Sequence, residues 1–333
     1  MMTVDHSKRR AIALVIACTV VCLLWVYDTD ILASISVATT DNMELHVNKS
    51  TGKLFTNLTS VFVPNVVRPA SFDSRNEEFH CRNMTLTDVT FPICHFTAGE
   101  FVSKRLLNGT YYEGRSVTDF LRLLRLDRQL QLVDIGANLG LYSLPAARVA
   151  HVIAVEPNWR SMLRLAKAVD LGGVSSNITL VHNAICSVRT TRSMKVHPSN
   201  QGHALLAKTT KCKATPTDKP CKTSVRTILL NDLLPLMRSK SALIKIDVEG
   251  HEVDVFTDSA AGQFFDQVDV PIVRIEWYWC KRRSTDLVQS LLNFFYSRNC
   301  AAFSERNSKL GNRYRRWPFN VLFRKVHRTD IRL

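Results

Sequence analysis

The 333-residue chain has nine cysteines but no C-x-x-C pair, and so lacks the thiolate spacing on which structural zinc sites are usually built. It has no G-x-G-x-x-G turn, the loop whose backbone N–H groups cradle a dinucleotide pyrophosphate. No early phosphate-binding loop is present, which counts against a sulfotransferase. Gln267-Val-Asp269 is a poor version of the Asp-x-Asp loop that holds a nucleotide sugar through Mn²⁺. Repeats at solenoid periods and long low-complexity tracts are also missing, which excludes a repeat array.

What is present begins with Leu132-Val-Asp-Ile-Gly-Ala-Asn-Leu-Gly-Leu-Tyr-Ser143, followed by Val152-Ile-Ala-Val-Glu-Pro157. These residues read as an apolar strand, a glycine turn, a helix start and a second strand ending in an acid. Ligands of doubly wound sheets sit at the carboxyl ends of such strands. Asp134 is expected near that edge, Gly136 and Gly140 let backbone and helix approach a ligand closely, and Asn138 stands between them. Without a phosphate cradle the loop suits a phosphate-free nucleoside. S-adenosylmethionine is one: its ribose diol suits Glu156 and its ammonium suits a carboxylate such as Asp134. Asn183 and Ala184, at the end of the third strand, are candidates for the adenine edge.

A second motif, Ala242-Leu-Ile-Lys-Ile-Asp-Val-Glu-Gly-His-Glu252, brings Lys245, Asp247, Glu249, His251 and Glu252 to one strand end. Asp247 and Glu249 are expected to organise an acceptor. His251 is the simplest group to take a proton near neutral pH, with capping or salt-linking the next helix as the competing role. Lys245 is expected to neutralise its neighbouring carboxylates, and Glu252 to favour the dipole of a helix start. Asp247 with Glu249 is also a candidate site for a divalent ion such as Mg²⁺ orienting a diol. Trp277, Tyr278 and Trp279 follow the fifth strand, where aromatic faces serve either sugar stacking or core packing.

At these residues the chain resembles the FkbM-type S-adenosylmethionine-dependent methyltransferases. The resemblance is carried by Val133 to Ser143, Ala154-Val-Glu-Pro157, His182-Asn-Ala184, Val225-Arg-Thr-Ile-Leu-Leu-Asn-Asp232 and Lys245 to Glu252. It implies the class I methyltransferase fold, S-adenosylmethionine as cofactor, and methyl transfer to a hydroxyl of a sugar or natural product. It does not imply which hydroxyl. A basic insert from Lys195 to Lys222 is longer than the family core needs.

The expected order is strand 131–135, helix 139–149, strand 151–156, helix 159–171, strand 178–185, the insert and a short helix 229–237. Strand 242–248, helix 252–265, strand 270–277, helix 285–298, and strands 301–304 and 319–325 follow. Alternation of this kind predicts an α/β, doubly wound, mostly parallel seven-stranded sheet of the Rossmann-like type, closed by a C-terminal antiparallel hairpin. The domain division is a cytosolic tail 1–10, a signal anchor 11–27, a stem 28–75, a cap segment 76–126 and the methyltransferase domain 127–333.

Ala11 to Tyr27 form 17 apolar or small residues preceded by Lys8-Arg9-Arg10 and followed by Asp28 and Asp30, which predicts a type II anchor with a lumenal remainder in the Golgi or endoplasmic reticulum. A cleaved signal peptide ending near Ser36-Val-Ala38 is the rival. Five N-x-S/T sequons, at Asn48, Asn57, Asn83, Asn108 and Asn177, agree with a lumenal location. The expected disulfides are Cys81–Cys94, Cys212–Cys221 and Cys280–Cys300, leaving Cys186 buried and free. The net charge of +15 suits an acidic glycan or membrane surface or a solvated face, and nucleic acid is not an expected lumenal partner. The leading expectation is a membrane-anchored O-methyltransferase acting on a glycan or another hydroxyl-bearing acceptor. A type II glycosyltransferase and a non-catalytic protein of the same fold are the alternatives.

Overall fold

The computed structural model describes residues 44–47, 54–57, 64–68, 78–97, 100–197, 200–206 and 224–328. The chain divides into two units, Met1–Val61 and Phe62–Leu333. In the first, β1 (Glu44–Val47) and β2 (Leu54–Asn57) pair as an antiparallel hairpin within the expected stem. The expected anchor lies outside the described residues. Among those described, no helix is long and apolar enough to cross a membrane.

The second unit opens with β3 (Val66–Val67) and a hairpin of β4 (His80–Leu86) and β5 (Val89–His95). Cys81 and Cys94 face each other across that hairpin and are joined by a disulfide, as expected. The helices α1 (Phe101–Leu107) and α2 (Gly114–Leu126) complete the cap. Glu100 starts α1 because its carboxylate accepts the N–H groups of Val102 and Ser103, two donors that a helix start otherwise leaves unmet.

The main sheet is built from β6 (Leu130–Ile135), β7 (Val152–Val155), β8 (Ile178–Val181), β13 (Ser241–Ile246), β14 (Asp269–Glu276), β15 (Cys300–Ser304) and β16 (Asn320–Lys325). Its order is β15-β16-β14-β13-β6-β7-β8-β3. β14, β13, β6, β7 and β8 run parallel, and β16 is antiparallel to both β14 and β15. The two terminal strands thus form the expected hairpin, with β16 inserted beside β14. The sheet has eight strands rather than seven because β3 adds an antiparallel edge to β8.

Every residue of β6, β7 and β13 is buried, as continuous apolar runs require when helices cover both faces of a parallel sheet. Leu130 and Leu132 belong to the core shared with α2, β5 and α4 (Trp159–Gly172). Val133 and Ile135 belong to the core on the other face, with α5 (Ser259–Gln267) and α7 (Thr285–Tyr296).

Three expected elements need correction. The helix at 139–149 is a single turn, α3 (Ser143–Ala146), since Pro145 cannot donate to an extended helical ladder. The strand at 178–185 is broken, and β9 (Ala184–Ile185) leaves the main sheet. It joins a small sheet with β10 (Thr191–His197), β11 (Asn200–Leu206) and β12 (Ser224–Ile228), so part of the basic insert is sheet. The helix at 252–265 starts late: a 3₁₀ turn, Asp254–Phe256, comes first, and α5 begins where Asp258 accepts from Ala260 and Ala261.

Cys280 and Cys300 are free, buried thiols rather than a disulfide. Cys280 closes the short helix α6 (Trp277–Cys280) beyond the carboxyl end of β14. Cys300 pairs in register with Lys325, whereas Glu276 pairs with Asn320, so the two sulfurs stand at opposite ends of the sheet. Cys186 is free and buried as expected. Cys212 and Cys221 lie outside the described residues.

Candidate functional site

The turn after β6 is fixed by two N–H groups, of Gly136 and Ala137, that both donate to the Val155 carbonyl at the end of β7. Gly136 has φ +81, and a Cβ on it would stand 1.8 Å from the Asp247 carbonyl oxygen. Only glycine allows the turn and the end of β13 to approach this closely. Gly140, with φ +90, serves packing instead, because a Cβ there would meet Leu165 at 2.5 Å and Leu144 at 2.8 Å.

Between these strand ends lies an open cleft of about 570 Å³, lined by Gly136, Asn138, Glu156, Asn183, Ala184, Asp247 and Glu249 among others. Glu156 is buried, and its carboxylate accepts the N–H of Asn138 at 2.7 Å and of Asn158 at 2.6 Å. Burial pushes its pKa up to about 7, against the pull of those two donors. Asn138 has φ +49 and accepts from Ser161 through its side chain, so the turn and α4 hold each other in place.

Asp134 does not line the cleft. It is fully buried behind the turn, where it accepts the Ser143 hydroxyl at 2.6 Å and meets Lys245 at 3.4 Å. Lys245 also donates to the Gly136 carbonyl at 2.6 Å and lies 3.8 Å from Asp247. Burial opposes its charge, but Asp134 and Asp247 outweigh that and hold its pKa above the ordinary value. The expected neutralising role of Lys245 is therefore the one observed. Asn183 touches the cleft, yet its amide is committed: its oxygen accepts the Asn65 N–H at 2.7 Å and its nitrogen donates to the Arg226 carbonyl at 3.1 Å. Its side chain ties β3 and β12 together.

The loop after β13 turns through left-handed backbone at Glu249 (φ +53) and Gly250 (φ +99). Glu252, fully buried, fixes that turn by accepting the N–H groups of Val248 and Gly250, each at 3.1 Å. It is thus a staple for the loop and not the start of a helix, and burial pushes its pKa up to about 8. His251 also lies outside the cleft lining. Its Nδ1 is 2.8 Å from Asp254, which Arg283 holds from the other side at 2.7 Å. Glu249 lines the cleft and accepts the Trp279 indole N–H at 3.3 Å.

The carboxylates that converge are Asp247, Glu252 and Glu276, whose oxygens come within 4.8 Å of one another. Glu249, expected beside Asp247 at an ion, is not one of the three. Glu276, the last residue of β14, was not singled out from the sequence, because the strand motif there ends in aromatics rather than in the acidic run that marks β13. Burial and the charges of Asp247, Glu249 and Glu252 push its pKa up to about 10. Of the aromatic run, Trp277 is core, packed on Trp317 and Phe323. Tyr278 and Trp279 are half-buried, and Arg282 stacks 3.6 Å over the Tyr278 ring.

On the cap side of the sheet, Asp134, Lys245 and Arg274 stand in register across three strands. Arg274 is fully buried and bonds Glu113 of the cap and, at 2.8 Å, Glu305. The acidic cluster is therefore roofed by cap residues. Tyr112 belongs to that roof, its pKa pushed up to about 12 by burial and by the Glu113, Asp247 and Glu276 carboxylates.

The model of the methyltransferase FkbM domain matches residues 134–309, the span that runs from Asp134 through this cleft to β15. The chain belongs to the FkbM methyltransferase family. Family membership implies S-adenosylmethionine as the cofactor. The residues present fit it: the floor at Gly136 has no room for a side chain, and Glu156 lines the cleft with both carboxylate oxygens held by backbone donors.

Solved structures similar to this FkbM family member include a methyltransferase FkbM from Methylobacillus flagellatus KT. It is 16% identical over 58% of this chain and 43% of that chain, with a TM-score of 0.35. The chain thus spans less than half of that protein's length. An O-methyltransferase from Bacillus cereus in complex with SAH is 12% identical, covering 63% of this chain and 81% of that one, with a TM-score of 0.33. Trm5 from Methanocaldococcus jannaschii in complex with adenosine is 10% identical, covering 75% and 56%, with a TM-score of 0.35. No curated protein matches the chain.

Proposed function

We propose that the protein is an S-adenosylmethionine-dependent O-methyltransferase acting on a hydroxyl of a glycan or glycoconjugate in the secretory pathway. The observation that carries the reading is a single cleft that joins Glu156, on one side of the bare Gly136 turn, to Asp247 and Glu249 on the other. When bound, S-adenosylmethionine supplies an electrophilic methyl group on a sulfonium.

Glu156 accepts the ribose hydroxyls, and the N–H groups of Asn138 and Asn158 keep its carboxylate oriented for them. The Gly136 and Ala184 backbones flank the nucleoside. Asp247, about one-third exposed at the cleft, faces the acceptor, and fixing acceptor and methyl donor in one site lowers the entropic part of the barrier. Glu249 and Trp279 offer a carboxylate and an aromatic face together, a pairing that suits a sugar ring.

The Cys81–Cys94 disulfide supports an oxidising compartment. Asn83 and Asn108 are exposed, and so are open to glycosylation there, whereas the Asn177 amide nitrogen donates to the Ala147 carbonyl at 3.1 Å. The apolar run at residues 11–27 supports a membrane-anchored, lumenal enzyme.

The test is transfer of an isotopically labelled methyl group from S-adenosylmethionine, by the secreted lumenal chain, to a panel of methyl glycosides and released glycans. Labelled methyl ether on a sugar supports the reading. Transfer to none of them, or release of sugar from a nucleotide sugar in a parallel arm, overturns it.

A further inference from the structure

Ile246 pairs with Ile275 in the parallel strands β13 and β14, so the next residues, Asp247 and Glu276, reach the carboxyl edge of the sheet side by side. Glu252, from the loop that follows β13, brings a third carboxylate, and oxygens of all three lie within 4.8 Å of one another. The fold holds each of them in place. The Asp247 N–H donates to the Ile135 carbonyl at 3.0 Å, Glu252 is fixed by the Val248 and Gly250 N–H groups, and Glu276 is the last residue of β14.

Positive charge does not match them. Arg274 is taken by Glu113 and Glu305, and Lys245 by Asp134 and the Gly136 carbonyl, so that it reaches Asp247 only at 3.8 Å. Among the described residues, neither Glu252 nor Glu276 has an ion pair. Glu276 is 7% exposed, and its Oε2 is buried with no hydrogen-bond partner. A buried carboxyl oxygen without a donor is costly, and points to an occupant that supplies the missing positive charge. Oε2 of Glu252 accepts only the Gly250 N–H that it shares with Oε1, which leaves it a lone pair for the same occupant.

We propose that Asp247, Glu252 and Glu276 bind one hard divalent cation, of the class of Mg²⁺, Mn²⁺ or Ca²⁺, at the edge of the cleft. Three carboxylates suit such an ion, whose ligand oxygens stand at about 2.0–2.6 Å and so fit a cluster of this span. Glu276 and Glu252 thus take the place expected of Glu249. The Asp247 side chain is 32% exposed and lines the cleft, whereas the other two are buried, so the open side of the ion faces the cleft. Resting on the methyltransferase reading above, water and the acceptor hydroxyl complete the coordination there, and the ion's Lewis acidity makes that hydroxyl a better nucleophile. The acceptor oxygen forms its bond to the methyl carbon, the sulfur–methyl bond breaks with its electron pair left on sulfur, and the hydroxyl proton passes to water in the cleft. His251, whose ring is turned to Asp254 outside the cleft lining, has no part in this step.

The experiment is titration of the whole protein, stripped of metal with EDTA, with Mn²⁺ read by electron paramagnetic resonance, followed by displacement with Ca²⁺ and Mg²⁺. The expected result is one bound Mn²⁺ per chain, with affinity at least about tenfold weaker in D247N and in E276Q and within about twofold of wild type in E249Q. D247N changes a partly exposed side chain and so carries the test if E276Q, at a buried position, proves unfolded in a thermal melt. Absence of bound Mn²⁺, weak binding that D247N and E276Q leave unchanged (an adventitious ion only), or a greater loss in E249Q than in E276Q overturns the proposal. In the kinetic arm, EDTA suppresses methyl transfer to the glycoside panel and added Mn²⁺, Mg²⁺ or Ca²⁺ restores it. Transfer that EDTA leaves unchanged overturns the ion's role at the acceptor. A wild type that binds Mn²⁺ as expected but methylates no glycoside contradicts the glycan reading and leaves the ion site standing.

Discussion

The Asp247 carbonyl oxygen occupies the position next to Gly136 that any side chain would need, 1.8 Å from an added Cβ. Two motifs more than a hundred residues apart are thereby locked together, and the cleft exists because they are. Gly136→Ala is expected to destabilise the fold by about 3 kcal/mol through positive-φ strain and overpacking. It should also abolish cofactor binding. Thermal unfolding and calorimetry with S-adenosylhomocysteine check both.

Arg274→Met leaves the Glu113 and Glu305 carboxylates without the buried guanidinium that joins them. The expected cost is about 3–5 kcal/mol, as for breaking a buried ion pair by removing one partner. Adding Glu113→Gln should recover part of that loss. Chemical denaturation of the single and double variants reads the coupling.

His251→Ala removes one partner of Asp254 without touching the cleft. The expected outcome is a lower melting temperature with cofactor affinity intact and kcat reduced less than tenfold. Loss of a general base would cost about 10²–10⁴-fold, so steady-state kinetics separate the two roles.

Cys81→Ala opens the β4–β5 hairpin, whose cysteines are 13 residues apart. The expected loss is about 3 kcal/mol. Cys186, Cys280 and Cys300, all buried thiols, should react with an alkylating reagent only after unfolding. Peptide mapping under non-reducing conditions distinguishes this from a Cys280–Cys300 bridge.

Much of this was legible from period and punctuation. Continuous apolar runs ending in Asp134, Glu156 and Asp247 gave strands, order and cleft edge, since burial on both faces forces that pattern. Partners were less legible. Asp134 looks like a ligand in the sequence, but Lys245 and Ser143, brought to it by the fold, turn it inward. Asn183 is likewise taken up by Asn65 and Arg226. Glu276 stayed hidden because its importance comes from strand adjacency to Asp247, which no local motif encodes. The proposed Cys280–Cys300 pairing failed for the same reason, as sequence proximity said nothing about opposite sheet ends.

The pH dependence of the cofactor site follows from Glu156, whose pKa in the folded chain is about 7 against an ordinary 4.5. A carboxyl raised in this way contributes stability that is full below 4.5 and is lost as pH rises through 7, on the order of 3 kcal/mol. Glu252 is shifted in the same direction, so the ligand-free protein should be more stable at mildly acidic pH than at pH 8. Ligand binding has the opposite sign, because hydroxyls donate best to the ionised carboxylate.

The most direct measurement is therefore calorimetric titration of the protein with S-adenosylhomocysteine from pH 5.5 to 8, for wild type and Glu156→Gln. The account predicts binding that strengthens by more than about tenfold across that range in the wild type, and weak, pH-independent binding in the variant. Absence of binding at every pH, or equal affinity in the two proteins, would contradict it.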